Sequence, residues 1–205
     1  MALTSDYPKE ILHENTNGRY FSFTPPVCLL LSLISDVDID TISKCKILSR
    51  SFPQYIPWYN ARKGGGAITL GSAKWSRIYF TENFFSADND LYGRGAYGTN
   101  LSVWLRLASH EVVHIAHGKR FSFILIYLLA FIYQYMVYGH DLAPLEKEAD
   151  QAISKFDGYN RCFYRSQGQS VPDFLKLNID DETKEEVINK CWQAFTGASS
   201  NGLNA

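Results

Sequence analysis

The segment His110-Glu111-Val112-Val113-His114 decides how we interpret the fold and the chemistry of this 205-residue chain. Two histidines four positions apart on a helix point to the same side, about one turn from each other, so their rings can share one zinc ion. Glu111 lies beside the first histidine, where its carboxylate can accept a proton from a water molecule on the zinc and pass it to a departing amine. The bare pattern also fits a helix with ordinary surface or core histidines.

The residues around this segment favour the metal site. The stretch 101–116 is apolar on most faces, which predicts a core helix that is capped at Thr99 or Asn100 and ends near Gly118. Buried polar groups need partners. Two histidines and a glutamate in such a helix are therefore costly unless a metal ion or a hydrogen-bond network satisfies them.

A zinc site that keeps one position open for water needs a third protein ligand, and Glu146 is our candidate. Glu146 and Asp150 are four residues apart, so a helix that begins at Pro144 places both carboxylates on one side. One carboxylate would bind the metal and the other would orient a ligand histidine. Glu148 is the rival ligand, although it lies roughly opposite Glu146 on the helix, and a solvated acidic face is the plain alternative.

Two more histidines are candidate cleft residues. His117 shares the face of His110 and His114, but a straight helix places it about 10 Å along the axis from His110, too far to share the ion with both. It could line the cleft or stabilise an oxyanion, and a structural role is an equally good interpretation. His140 and the tyrosines are other candidates for stabilising a tetrahedral intermediate, and the sequence does not choose among them.

With these motifs the chain resembles the gluzincin metallopeptidases. It is especially similar to small bacterial zincin-like domains, in which a strand pair precedes the HExxH helix and a Pro-hydrophobic-Glu-x-Glu-Ala segment follows a long apolar helix. The similarity covers roughly residues 64–155. The resemblance implies a role for each residue of the motifs: zinc ligands His110, His114 and Glu146, the general base Glu111, and Asp150 as the partner of a ligand histidine.

The remaining chain predicts a helix-rich α+β fold of the zincin-like kind. We expect one domain over residues 1–196, with the motifs in a core of about 64–155, and a flexible tail at 197–205. We predict a β-hairpin beside the HExxH helix, formed by residues 67–71 and 77–81. The edge strand of this hairpin could hold an extended peptide by main-chain pairing.

Three further segments have predicted structures. Residues 25–34 form an apolar run that fits a core helix or a core strand, and residues 39–48 carry the β-branched pattern of a strand. Residues 181–195 predict a helix with acidic residues in its first turn, packed against the core.

Residues 121–138 contain no charged side chain, and their length of 18 residues raises the question of a membrane span. A single span would put Glu146 about 30 Å from the two histidines, across the bilayer. Only 31 residues separate His114 from Glu146, too few for two spans. We therefore expect a helix buried in the domain. A helix lying in the membrane interface and a true span without the zinc site are the alternatives.

The composition argues against several other classes of protein. The chain has 20 Lys+Arg against 21 Asp+Glu and no basic stripe, so we expect no nucleic-acid binding. Its 4 cysteines form no CxxC pair, which argues against a thiolate zinc site or a disulfide framework. The first residues lack a secretory signal, which makes the cytoplasm the default compartment, with non-classical export or membrane association as the alternatives.

The expected function is zinc-dependent hydrolysis of a peptide bond in a peptide or protein substrate. A non-catalytic, zinc-stabilised binding module is the first alternative. A membrane-associated protein that uses residues 121–138 is the second.

Overall fold

The computed structural model describes residues 9–15, 20–50, 67–72, 75–81, 101–121, 124–139 and 142–201. Within these ranges the strands are β1 (Leu12–Glu14), β2 (Phe21–Phe23), β3 (Lys46–Arg50), β4 (Ala67–Ser72) and β5 (Trp75–Thr81). The helices are α1 (Pro25–Ser35), α2 (Ile39–Ser43), α3 (Leu101–Arg120), α4 (Ile124–Tyr138), α5 (Pro144–Gln167), α6 (Val171–Leu175) and α7 (Asp181–Asn201). The predicted α+β class is confirmed.

The strands form one mixed sheet in the order β1-β2-β3-β5-β4. The predicted hairpin is confirmed, because β4 pairs with β5 in an antiparallel register that runs from Ala67 opposite Phe80 to Ser72 opposite Trp75. Along β5 the buried residues Ser76, Ile78 and Phe80 alternate with more exposed ones. This two-residue period is what a strand with one face on the core requires. β3 and β5 are parallel, and β4 lies at the end of the described sheet.

The helix α3 lies at the centre of the fold, in contact with β4, α1, α5 and α6. Most of its apolar side chains are buried, and Trp104, Leu105 and Ile115 are fully buried. Most of the buried apolar residues of the described segments form one cluster, to which α1, α5, α6 and α7 all contribute. A site on α3 is therefore held by a packed core on several sides.

Two local predictions were wrong. Residues 39–48 form a short helix followed by a strand, because Asp38 accepts a hydrogen bond from the backbone N–H of Thr41 and starts α2 before β3 begins. The predicted stop at Gly118 is also wrong, since α3 continues to Arg120. Gly118 serves close packing instead: a Cβ atom there would lie 2.8 Å from the carbonyl oxygen of Gly71 on β4.

Three predicted helices are present, and one of them is longer than predicted. The predicted helix start at Pro144 is confirmed, and so is the helix from Asp181. Residues 25–34 are helical, as one of their two interpretations required. α7 continues to Asn201, past residue 196 where we placed the end of the domain. Thr99, Asn100 and His140 lie outside the described residues.

The prediction of a buried helix over residues 121–138 was wrong. α4 exposes one side, and the exposed fraction reaches 58% for Leu129 and 72% for Met136. We name this surface the α4 stripe, formed by Leu125, Ile126, Leu129, Tyr133, Met136 and Val137. The opposite side of α4 meets α3, α5 and β4, so only half of this apolar helix is covered by the described residues. Of the described helices, none combines the length and the apolar character needed to cross a membrane.

Candidate metal centre

Three polar side chains of one helical turn of α3 are buried: His110, Glu111 and His114. Their four-residue spacing brings the two imidazole rings together, with the Nε2 atoms 3.1 Å apart and the ring planes nearly perpendicular. The apolar residues on either side of the histidines pack into the core and fix this turn. The two rings therefore converge on one point, as the sequence spacing predicted.

Glu146 reaches the same point from the first turn of α5. The pyrrolidine of Pro144 suits the first helical turn, and the backbone N–H of Leu145 donates to the side-chain oxygen of Gln134 on α4. One carboxylate oxygen of Glu146 lies 3.1 Å from Nε2 of His110, and the other lies 3.6 Å from Nε2 of His114. The three candidate ligands are brought together, and all three are buried.

The spacing of these atoms fits a divalent ion. Zinc binds imidazole nitrogen and carboxylate oxygen at about 2.0–2.2 Å, and tetrahedral angles then separate neighbouring ligand atoms by roughly 3.3–3.6 Å. One ligand atom from each of His110, His114 and Glu146 lies within 4.8 Å of the others. Two neutral imidazoles and one carboxylate are a donor set typical of zinc with a fourth, open position. The group could therefore hold a metal ion.

Asp150 contacts His110, as its position in the ExxxD motif predicted. Its Oδ1 atom lies 3.0 Å from Nδ1 of His110, on the side of the ring opposite the convergence point. Burial alone would lower the pKa of His110, but the hydrogen bonds to Asp150 and Glu146 and the charges of Glu111 and Glu146 raise it to about 10. An ionised carboxylate can only accept, so Asp150 holds a proton on Nδ1 of His110 and turns Nε2 toward the other candidate ligands.

Glu111 has a partner that sequence reasoning missed. The hydroxyl of Thr69 on β4 donates to Oε2 of Glu111 over 2.6 Å, and both residues are buried. No motif marks Thr69; the available signal was its inward position in the predicted hairpin, and that signal names no partner. This hydrogen bond joins the hairpin to the HExxH helix at the residue expected to carry protons.

His117 does not line an open cleft, so that interpretation was wrong. Its side chain has no exposed surface, and both ring nitrogens have partners. Nδ1 lies 3.1 Å from Nδ1 of His114, and Nε2 lies 2.6 Å from Oε2 of Glu148. Burial lowers the pKa of His117 despite the nearby carboxylate of Glu148. Glu148 therefore meets His117, and it does not rival Glu146 as a ligand.

The inner side of α4 closes the site from a third direction. The ring of Phe131 meets the ring of His114 edge-on, with centroids 6.3 Å apart. Tyr127 is buried, and burial together with the negative charges of Glu111 and Glu146 raises the pKa of its phenol well above the usual range. The phenol of Tyr127 is therefore neutral, and its ring lies 6.4 Å from the ring of Phe131.

Comparison with family models, with curated proteins and with solved structures found no match for this chain.

Proposed function

We propose that this protein is a zinc-dependent metallopeptidase-like hydrolase in which Glu111 is the general base. One observation carries the proposal: the buried ligand atoms of His110, His114 and Glu146 converge within 4.8 Å. Glu111 is buried on the same turn of α3. The resemblance to gluzincins names the same residues.

The reaction needs a polarised carbonyl, a nucleophilic water and a proton donor for the leaving amine. Zinc held by His110, His114 and Glu146 would supply the Lewis-acid chemistry that polarises a carbonyl and acidifies a water molecule. Glu111 takes the proton from the water as its oxygen bonds to the carbonyl carbon, and returns that proton to the amine nitrogen as the C–N bond breaks. Thr69 holds the carboxylate in place during both transfers through its 2.6 Å hydrogen bond.

Two further features support an extended peptide as the substrate. β4 lies at the end of the described sheet, and Thr69 ties it to Glu111, so a peptide paired with this edge would run past the proposed base. Tyr127 packs against Phe131, which meets His114, and its neutral hydroxyl suits a hydrogen bond to a developing oxyanion. We therefore propose Tyr127 as the residue that stabilises the tetrahedral intermediate.

The test is Glu111→Gln in the full chain, with an unstructured protein as substrate. We expect hydrolysis to fall by about 10²–10⁴-fold while one zinc per chain stays bound, because the amide cannot accept the proton. Glu186→Gln is the matched control, because it replaces an exposed carboxylate on α7 by the same amide. It should change neither the rate of hydrolysis nor the zinc content. Zinc binding by the wild type without any hydrolysis would favour the non-catalytic binding module. Absence of bound zinc from the wild type would contradict the proposal.

A second candidate function is contact with a lipid surface, favoured by the α4 stripe. An exposed apolar surface of this extent on a folded domain marks an interaction site, and Tyr133 adds the amphipathic ring common at membrane interfaces. Flotation of the full chain with phosphatidylcholine vesicles tests it, and Met136→Gln should reduce binding. Concentration-dependent dimerisation without vesicle binding would identify a second copy of the chain as the partner of the stripe.

A further inference from the structure

The ligand histidine His114 uses only one ring nitrogen at the point of convergence. Its Nε2 atom faces His110 and Glu146, whereas its Nδ1 atom lies 3.1 Å from Nδ1 of His117. His117 in turn places Nε2 2.6 Å from Oε2 of Glu148. Arg120 contacts the same oxygen of Glu148 over 2.8 Å. The four side chains form a continuous line from the metal centre to the surface.

The direction of each hydrogen bond along this line follows from which groups can donate and which can only accept. An ionised carboxylate can only accept, so the contact with Glu148 requires the proton of His117 on Nε2. A neutral His117 then presents the lone pair of Nδ1, which can only accept. The contact between the two Nδ1 atoms therefore requires a proton on Nδ1 of His114. That tautomer leaves the lone pair on Nε2, the atom that faces the other ligands.

We propose that His117 and Glu148 are positioning residues of the metal centre: together they fix the tautomer and the ring orientation of His114. This inference rests on the proposed function, because it assumes that His114 is a ligand. Neither residue touches the reacting atoms. His117 acts through His114, and Glu148 acts through His117.

The two ligand histidines of α3 are thus oriented by different means. His110 reaches its carboxylate directly, through the 3.0 Å contact with Asp150. His114 reaches Glu148 through the intervening ring of His117. Both carboxylates come from the first two turns of α5, so one helix supplies a metal ligand and the outer partner of each histidine. Ligand histidines generally need such a partner on the second ring nitrogen, and here the fold provides one for each.

The first experiment measures zinc affinity by competition with a chelator in the full chain. His117→Phe keeps a ring of similar size and removes both nitrogens, and we expect zinc affinity to fall by about 10–100-fold. Tyr159→Phe is the matched control, because it removes a buried hydrogen bond of 2.9 Å to Ile188 elsewhere in the core. We expect this control to lose stability without losing zinc affinity.

Variants of Glu148 keep the test independent of the folding of His117→Phe, because the side chain of Glu148 is 44% exposed whereas that of His117 is fully buried. Glu148→Ala removes the acceptor for His117 and should weaken zinc binding, whereas Glu148→Gln retains an acceptor oxygen and should restore most of the affinity. A purely structural role for His117 predicts no difference in zinc affinity between these two variants.

A spectroscopic measurement reads the tautomers directly. In zinc-loaded protein with ¹⁵N-labelled histidine, long-range ¹H–¹⁵N correlation should show His114 with its proton on Nδ1 and His117 with its proton on Nε2. A proton on Nδ1 of His117 would overturn the inference. Wild-type zinc affinity in both His117→Phe and Glu148→Ala would overturn it while leaving the proposed function intact. A wild type that binds no zinc would overturn both.

Discussion

The helices α3 and α4 invert the usual relation between polarity and burial. On α3 the ionisable side chains of His110, Glu111 and His114 are buried. On α4, which carries no charge, the apolar side chains of the α4 stripe are exposed. The difference lies in the partners. Each buried ionisable group on α3 meets a side chain from β4 or α5, whereas the described residues pack against only one side of α4.

This comparison shows that burial is decided by what the rest of the chain supplies. A polar side chain can enter the interior when its hydrogen bonds are replaced there. An apolar helix stays partly exposed when no complementary surface is folded against it. Four changes, described in order of expected effect, test this explanation of the two helices.

Removing a convergent partner from α3 should have the largest effect. Glu146→Ala leaves two imidazoles without the carboxylate, and we expect stoichiometric zinc and all hydrolysis to be lost. Asp150→Asn should weaken zinc binding by only about 10–100-fold, because it alters the orientation of His110 and not a ligand atom. Metal analysis of the purified variants measures both. Equal zinc content in Glu146→Ala and the wild type would contradict the ligand set.

Forcing α3 and β4 apart should have the second-largest effect, a loss of stability. Gly118→Ala forces a Cβ atom to within 2.8 Å of the carbonyl oxygen of Gly71, so the strand must move. We expect the free energy of unfolding to fall by about 1–3 kcal/mol in urea denaturation, as for other overpacked sites.

Gly158→Ala is the matched control for Gly118→Ala. A Cβ atom there makes only an ordinary contact with the ring of Phe195, so the change should raise stability by about 0.5–1 kcal/mol through helix propensity. Equal effects in the two variants would contradict the close approach of α3 and β4.

Breaking the hydrogen bond between the hairpin and Glu111 should have a smaller effect on stability. Thr69→Val keeps the volume of the side chain and removes the hydroxyl that donates to Glu111, and we expect a loss of about 1–2 kcal/mol with reduced kcat. Thr69→Ser keeps the donor and should retain most of the activity. Unchanged kcat in Thr69→Val would show that the hydrogen bond does not position the base.

Truncating the α4 stripe should have the smallest effect. Leu129→Ala removes an exposed side chain, so the free energy of unfolding should change by less than about 0.5 kcal/mol. On α3, Ile115→Ala removes a fully buried side chain and should cost about 2–5 kcal/mol. A loss above 2 kcal/mol in Leu129→Ala would show that the stripe is covered in solution.

The residues of the candidate centre could be predicted because helical geometry is local. The spacing of His110 and His114 fixes the relation of their rings wherever the helix lies, and the spacing of Glu146 and Asp150 does the same on α5. Thr69 and Glu148 could not be assigned their roles in this way. Their partners lie 42 and 31 residues away in the chain, and pairing over such distances depends on how the elements pack.

The sequence by itself determined the helical register of the HExxH motif, the hairpin before it and the start of α5, because these depend on spacing, turn residues and capping within a few positions. Only the tertiary structure decided that Gly118 serves close packing, that His117 faces Glu148, and that α4 shows one apolar side. Each of these depends on which surface meets which, and hydropathy along the chain measures only the tendency of a residue to be buried.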